Sequence, residues 1–210
     1  MPDQRLGGMP AAEAWAQLMT GNARFVAGDP VRRDLVAERA GGVEGQAPSA
    51  AVLSCSDSRV VPELIFDQGP GDLFVTRVGG NVLTSALLAS LEFSVVFLGV
   101  RLIVVMGHSA CGTLSAAVGM LEAGEVLPGH IAELVREVEP AVVRAQKATA
   151  GDLLENVCAE NVRQQVARLR AAPLIAGDGH GQEATEIIGA TYDLATGKVS
   201  ALDSPFLDSP

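Results

Sequence analysis

The chain has 210 residues, 48% of them apolar and 19% charged, with a net charge of −10 at pH 7. That length suits one domain with a substantial core, and that composition excludes an intrinsically disordered chain. The acidic balance and the scatter of the basic residues argue against nucleic acid, whose phosphates require clustered Lys and Arg. Three cysteines do not make a disulfide framework; an odd, low count fits a reducing, cytoplasmic setting in which thiols stay available for metal. Met1 to Gly8 holds no apolar stretch of the kind a signal peptide needs.

Ala11 to Val26 is expected to form an amphipathic helix carrying Trp15, Leu18, Met19, Phe25 and Val26, ended by Gly28-Asp29-Pro30. It reads as an N-terminal helical arm over about 10–27 of one domain spanning 1–210, reaching across to a neighbouring chain. Residues 28–48 look like a long surface connection. Ala50 to Ser54, Leu73 to Thr76 and Arg101 to Met106 are short apolar runs that read as buried strands.

The stretch from Asn81 to Met106 is long enough to cross a bilayer, but Glu92 and Arg101 interrupt it. Its Leu/Ala-rich half to Leu98 and its β-branched end are better explained as a buried helix followed by a buried strand, so no membrane span is expected. Further helices are expected at Gly112 to Ala123, Ile131 to Ala145 and Leu153 to Ala171, and a last pair of strands at Glu186 to Leu194 and Lys198 to Leu202. Alternating strands and helices predict an α/β fold with a mostly parallel central sheet flanked by helices.

Two segments carry chemistry. Cys55 follows the first strand in Ser54-Cys55-Ser56-Asp57-Ser58-Arg59, and His108 and Cys111 follow the third in Gly107-His108-Ser109-Ala110-Cys111-Gly112. Ligand sites of open parallel sheets form beyond the carboxyl ends of the strands, so two sulfurs and an imidazole are expected to meet at one edge. That set suits tetrahedral zinc with one position left open, and a helix starting at Gly112 would favour the Cys111 thiolate. A lone cysteine is ordinarily a small buried hydrophobe, and Cys158 reads that way, with no His or Cys near it in sequence. His130 and His180 have no evident partners. Gly107 to Thr113 nearly matches a phosphate-binding loop but lacks its lysine, and the Gly177 to Gly181 stretch is too loose for a dinucleotide fingerprint.

Cys55 to Val60 (CSDSRV) and Gly107 to Gly112 (GHSACG) resemble the two zinc signatures of the β-class carbonic anhydrases. The resemblance extends through Gly21 to Gly28, Gly45 to Pro48, Asp67 to Asn81, Leu91 to Phe93 and Thr191 to Val199, which is most of the chain in order. It implies one Zn2+ per chain on Cys55, His108 and Cys111, and reversible hydration of carbon dioxide to bicarbonate and a proton. In that reading zinc-bound hydroxide is oriented by Asp57, which Arg59 holds ionised, and Asp57 can instead become a fourth ligand in a closed state at lower pH. The resemblance further implies Gln46, Phe74, Phe93 and Gly112 as substrate-side residues, with Phe93 acting across the interface of a homodimer or higher homo-oligomer. Val52 stands where relatives with a regulatory bicarbonate site have tryptophan, so no such switch is expected. Two thiolates already neutralise the dication, so activity should rise towards alkaline pH. Competing readings are a hydrolase of the same fold acting on carbonyl sulfide or carbon disulfide, and a non-catalytic zinc or redox sensor.

Overall fold

The computed structural model of the chain describes residues 8–177 and 184–203. Five strands form one sheet: β1 (Ala50–Ser54), β2 (Leu73–Arg77), β3 (Leu102–His108), β4 (Glu186–Tyr192) and β5 (Val199–Asp203), in the order β2-β1-β3-β4-β5. The first four run parallel and β5 returns antiparallel to β4. Every residue of β1 and β3 is buried, as expected of strands covered on both faces.

Alternation along the strands sorts the core into two layers. Ala50, Val52, Leu102, Val104 and Met106 face one side, where Trp15 and Leu18 of α1 (Ala11–Ala27) and Ile65 of α3 (Pro62–Ile65) cover them. Ala51, Leu53, Ile103 and Val105 face the other side, beneath α4 (Ser85–Leu98), α8 (Leu153–Arg170) and α9 (Pro173–Ala176). Burying each of the larger side chains contributes about 1.5–3 kcal/mol. A third cluster closes the carboxyl end of the sheet and contains Cys55, Cys111 and Cys158. There they pack with α5 (Gly112–Ala123), α6 (Ile131–Arg136) and α7 (Glu139–Ala145).

The chain leaves β1 for β2 on one side and then returns past β1 to β3 on the other. The carboxyl ends of β1 and β3 therefore flank the point where the winding reverses, the place where open α/β sheets form their crevice.

Several elements differ from the sequence expectation for identifiable reasons. Residues 28–48 include α2 (Leu35–Gly41), capped by the Asp34 carboxylate accepting from the N–H groups of Val36 and Ala37; it has no buried residue, hence no apolar periodicity to read. The expected helix from Ile131 to Ala145 is two helices. Pro140 has no N–H and its ring crowds the carbonyl four residues back, and α6 ends at that residue, Arg136. The helix before β3 begins at Ser85 behind a Thr84 cap, preceded by a 3-10 turn at Gly79–Asn81. Within the chain, Asn22 Nδ2 of α1 donates to the carbonyls of Ile65 and Gly197. No helix among the described residues is long and apolar enough to cross a membrane.

Candidate metal centre

Cys55 is the first residue after β1, His108 the last of β3, and Cys111 the residue preceding α5. The bend between the two ligands of the second segment passes through Ala110 at φ +52°, a left-handed conformation costing a non-glycine residue about 1–2 kcal/mol. That bend aims the first turn of α5 at the end of β1. The ligand atoms of Cys55, His108 and Cys111 all lie within 4.8 Å of one another, and all three residues are buried. Their sulfurs are 3.9 Å apart. Two metal–sulfur bonds of about 2.3 Å at a tetrahedral angle would set sulfurs roughly 3.8 Å apart, so the spacing fits zinc.

The imidazole is also prepared for a metal. His108 Nδ1 lies 2.9 Å from the Ser109 carbonyl, which can only accept, so Nδ1 carries the proton. Nε2 is then the bare nitrogen, and it is buried with no hydrogen-bond partner among the described residues. A buried nitrogen left without a partner costs stability unless something else takes its lone pair.

Electrostatics favours thiolate here. Cys55 is pulled well below an ordinary thiol, first by its contact with Cys111, against the opposing effect of burial, and then by the backbone N–H groups of Asp57 (3.4 Å) and Gly80 (3.3 Å). The same contact with Cys55 and burial push Cys111 upwards, so the two sulfurs share a proton that a metal would displace.

Beside the cluster, Asp57 accepts from the Arg59 backbone N–H (2.9 Å), from Nε (2.9 Å) and from Nη2 (2.7 Å). These bonds hold its carboxyl well below the usual carboxylate range. Asp57 Oδ2 stands 4.0 Å from His108 Nε2, so an ionised acceptor borders the open side of the ligand set. Arg59 also donates to the Ala110 carbonyl at 3.3 Å, joining the two signature segments.

The other expected site residues are placed less centrally. Gly112 opens α5, and a side chain added there would meet nothing within 4 Å, so its backbone borders free space. Gln46 is exposed on the segment entering the amino end of β1, and among the described residues it takes no part in the hydrogen bonds of the cluster. Phe74 and Phe93 come together on the outside of the sheet, ring centroids 6.4 Å apart, with Phe97 5.0 Å from Phe93. His130 is exposed and lies 3.3 Å from Glu133; His180 lies outside the described residues.

Sequence reasoning missed three supports. Arg77, at the end of β2, donates to the carbonyls of Cys55 (3.0 Å) and Asp57 (2.7 Å), clamping the first signature loop. Its position beside the end of β1 in a parallel sheet is the signal that could have found it. Gly80 supplies the second N–H on Cys55 and had no local signal. Cys158 proves to lie beneath the site, its thiol pushed up to about 12 by burial and donating to the His108 carbonyl at 3.6 Å.

Fold and cluster together define an α/β protein with three donors that could hold a metal ion at the switch point of its sheet. The family model described as carbonic anhydrase matches residues 50–199. A carbonic anhydrase of Mycolicibacterium smegmatis is 40% identical over 187 residues, covering 89% of this chain and 90% of that protein. Carbonic anhydrase 2 of Mycobacterium tuberculosis is 39% identical over 193 residues, covering 90% and 92%. Among solved structures, the β-carbonic anhydrase CcaA superposes with a TM-score of 0.70 at 28% identity, covering 90% of this chain and 95% of that one. A Coccomyxa β-carbonic anhydrase in complex with acetazolamide gives a TM-score of 0.67 at 26% identity, covering 91% and 83%. The chain belongs to the carbonic anhydrase family, in its β class, and the reaction this implies is the hydration of carbon dioxide.

Proposed function

We propose that this chain is a zinc-dependent carbonic anhydrase with one zinc per chain on Cys55, His108 and Cys111, and with Asp57 and Arg59 as its orienting dyad. The observation that carries this reading is the doubly gripped Asp57 carboxylate bordering the bare Nε2 of His108. Bound zinc would supply a Lewis acid that activates water at neutral pH. Because Asp57 stays ionised it can only accept, so a nucleophile beside it must donate its proton there and turn a lone pair towards the cleft. Arg59 keeps that acceptor in place through two parallel bonds, a geometry lysine cannot reproduce.

The same carboxylate is close enough to serve as a fourth ligand at lower pH, after releasing Arg59. Gly112 opens α5 directly after Cys111, and its match to the family pattern supports its N–H as a donor to a substrate oxygen. Gln46, Phe74 and Phe93 belong to the substrate side of the assembled protein, supported by their match to the family pattern. Helix α4 is largely apolar yet leaves Phe93 and Phe97 46% and 55% exposed, which a homodimer or larger homo-oligomer would cover. Val52 and the retained Gln46 favour an enzyme without a regulatory bicarbonate site. Free thiols as ligands suit the cytoplasm.

Metal analysis and stopped-flow hydration test the reading, with Asp57→Asn beside the wild type. The expected result is one zinc per chain in both, with kcat lowered about 10²- to 10⁴-fold in the variant. Zinc-loaded wild type that hydrates carbon dioxide no faster than buffer would favour the sensor reading, and faster turnover of carbonyl sulfide or carbon disulfide would favour the hydrolase.

A further inference from the structure

Two amide side chains lie fully buried on α8, a helix whose inward face is otherwise apolar. Asn161 and Gln165 are both 0% exposed, one turn apart, among Val157, Cys158, Val162, Val166 and Leu169. Buried amides in such a setting must be hydrogen-bonded, and these two spend their bonds on one target. Asn161 Nδ2 donates to the Gly80 carbonyl at 2.8 Å. Asn161 Oδ1 accepts from Gln165 Nε2 at 3.0 Å, and Gln165 Oε1 accepts from the Leu83 N–H at 3.1 Å. Arg168, paired with Glu137 at 3.0 Å, donates to the same Oε1 at 3.2 Å and ties the relay to the surface.

The target is the turn that supplies the second N–H on Cys55. Gly80 sits at φ +68° and Asn81 at φ +45°, two consecutive left-handed residues that would not hold that shape without restraint. On the opposite side the turn abuts α5, where a Cβ on Gly80 would come 2.9 Å from Thr113 Cγ2. The amides grip the turn at the Gly80 carbonyl and at the Leu83 N–H, leaving the Gly80 N–H pointing at sulfur. The gripped carbonyl and the donating N–H belong to neighbouring peptide units, so the link acts through orientation.

We propose that Asn161 and Gln165 are positioning residues for the metal centre: they hold the Gly80 N–H on the Cys55 sulfur and so set how strongly that thiolate binds the metal. The inference rests on the metal-site reading above. Partners that orient metal ligands from outside are worth about 10- to 100-fold in metal affinity.

The test uses the full chain, stripped of metal and reloaded with zinc or cobalt(II). The variants are Asn161→Leu, Asn161→Asp and the milder Gln165→Glu, which keeps the acceptor for Leu83 and removes the donor to Asn161. Leu169→Ala, buried on the same helix away from the turn, controls for lost stability. Expected for Asn161→Leu and Asn161→Asp is zinc affinity about 10- to 100-fold weaker by chelator competition, with a displaced thiolate-to-cobalt charge-transfer band. Gln165→Glu should show a smaller shift of the same sign, and Leu169→Ala should melt lower with affinity and band unchanged. Lower melting of the Asn161 variants with a wild-type band and affinity would overturn the inference and leave the metal site standing. A wild type that gives no thiolate-to-cobalt band would overturn the metal reading and this inference with it.

Discussion

Gly107→Ala is the most demanding check on how the centre is held. Gly107 precedes His108 in β3 and faces α8, and a Cβ there would lie 2.7 Å from Cys158 Sγ and 2.8 Å from Val162 Cγ2. Ordinary contacts are nearer 3.5–4.0 Å, so the helix and strand would have to part by roughly 1 Å. Neither neighbour can swing aside, since Cys158 is 5% and Val162 0% exposed. Overpacking of this kind costs about 1–3 kcal/mol, which at about 2–4 °C per kcal/mol lowers the melting temperature by roughly 2–12 °C. Cys158→Ala alone should cost about 1 kcal/mol for the small void it leaves. In the double variant the contact with Cys158 is gone and that with Val162 remains, so about half the strain is relieved. A double-mutant cycle should then show favourable coupling of about 0.5–1.5 kcal/mol. Because the strain falls beside a metal ligand, zinc affinity should drop in Gly107→Ala and partly return in the double variant. Thermal melts and chelator competition on the four proteins measure both effects. A Gly107→Ala melt indistinguishable from wild type, or a double variant destabilised by the plain sum of the singles, would refute the packing argument.

Three further outcomes are expected. His108→Ala should lose zinc and all hydration activity, whereas chelator-stripped wild type should regain both on adding zinc; recovery of activity in His108→Ala with zinc alone would contradict the ligand assignment. Asp57 has a carboxyl depressed by Arg59, so its stabilising effect is complete above about pH 4 and is lost as pH falls from there towards the folded-state value. In metal-free protein the urea midpoints of wild type and Asp57→Asn should therefore differ by a constant amount from pH 8 to 5 and converge below about pH 4; parallel curves down to acid would show that the pair contributes nothing. Phe93→Asp with Phe97→Asp should lower the assembly mass seen by analytical ultracentrifugation while leaving the fold intact, and an unchanged mass would place the interface elsewhere.

Much of this molecule was legible before any fold was known. The all-apolar runs at Ala50 and Leu102 identified strands buried on both faces, and the parallel-sheet rule then placed Cys55 and His108 at one edge. The grouping of Cys55, His108 and Cys111 and the Asp57–Arg59 pair were readable because each lies in a short local segment at a strand end. Less was readable for Gln46, Phe74 and Phe93, whose roles depend on what stands opposite them.

Hydrophobic periodicity tells which face of an element is buried but not which partner covers it. Helix α2 escaped notice because it buries nothing; Cys158 is the buried small residue expected, and only its contact with the His108 carbonyl, 50 positions away, was illegible. Asn161 reaches Gly80 across 81 positions, a pairing that no local pattern encodes. The three donors that could hold a metal are thus written in two hexapeptides. What orients them was decided by the packing of α8 against β3 and the turn at Gly79–Asn81, because a buried amide must satisfy its bonds wherever the fold brings a carbonyl within reach.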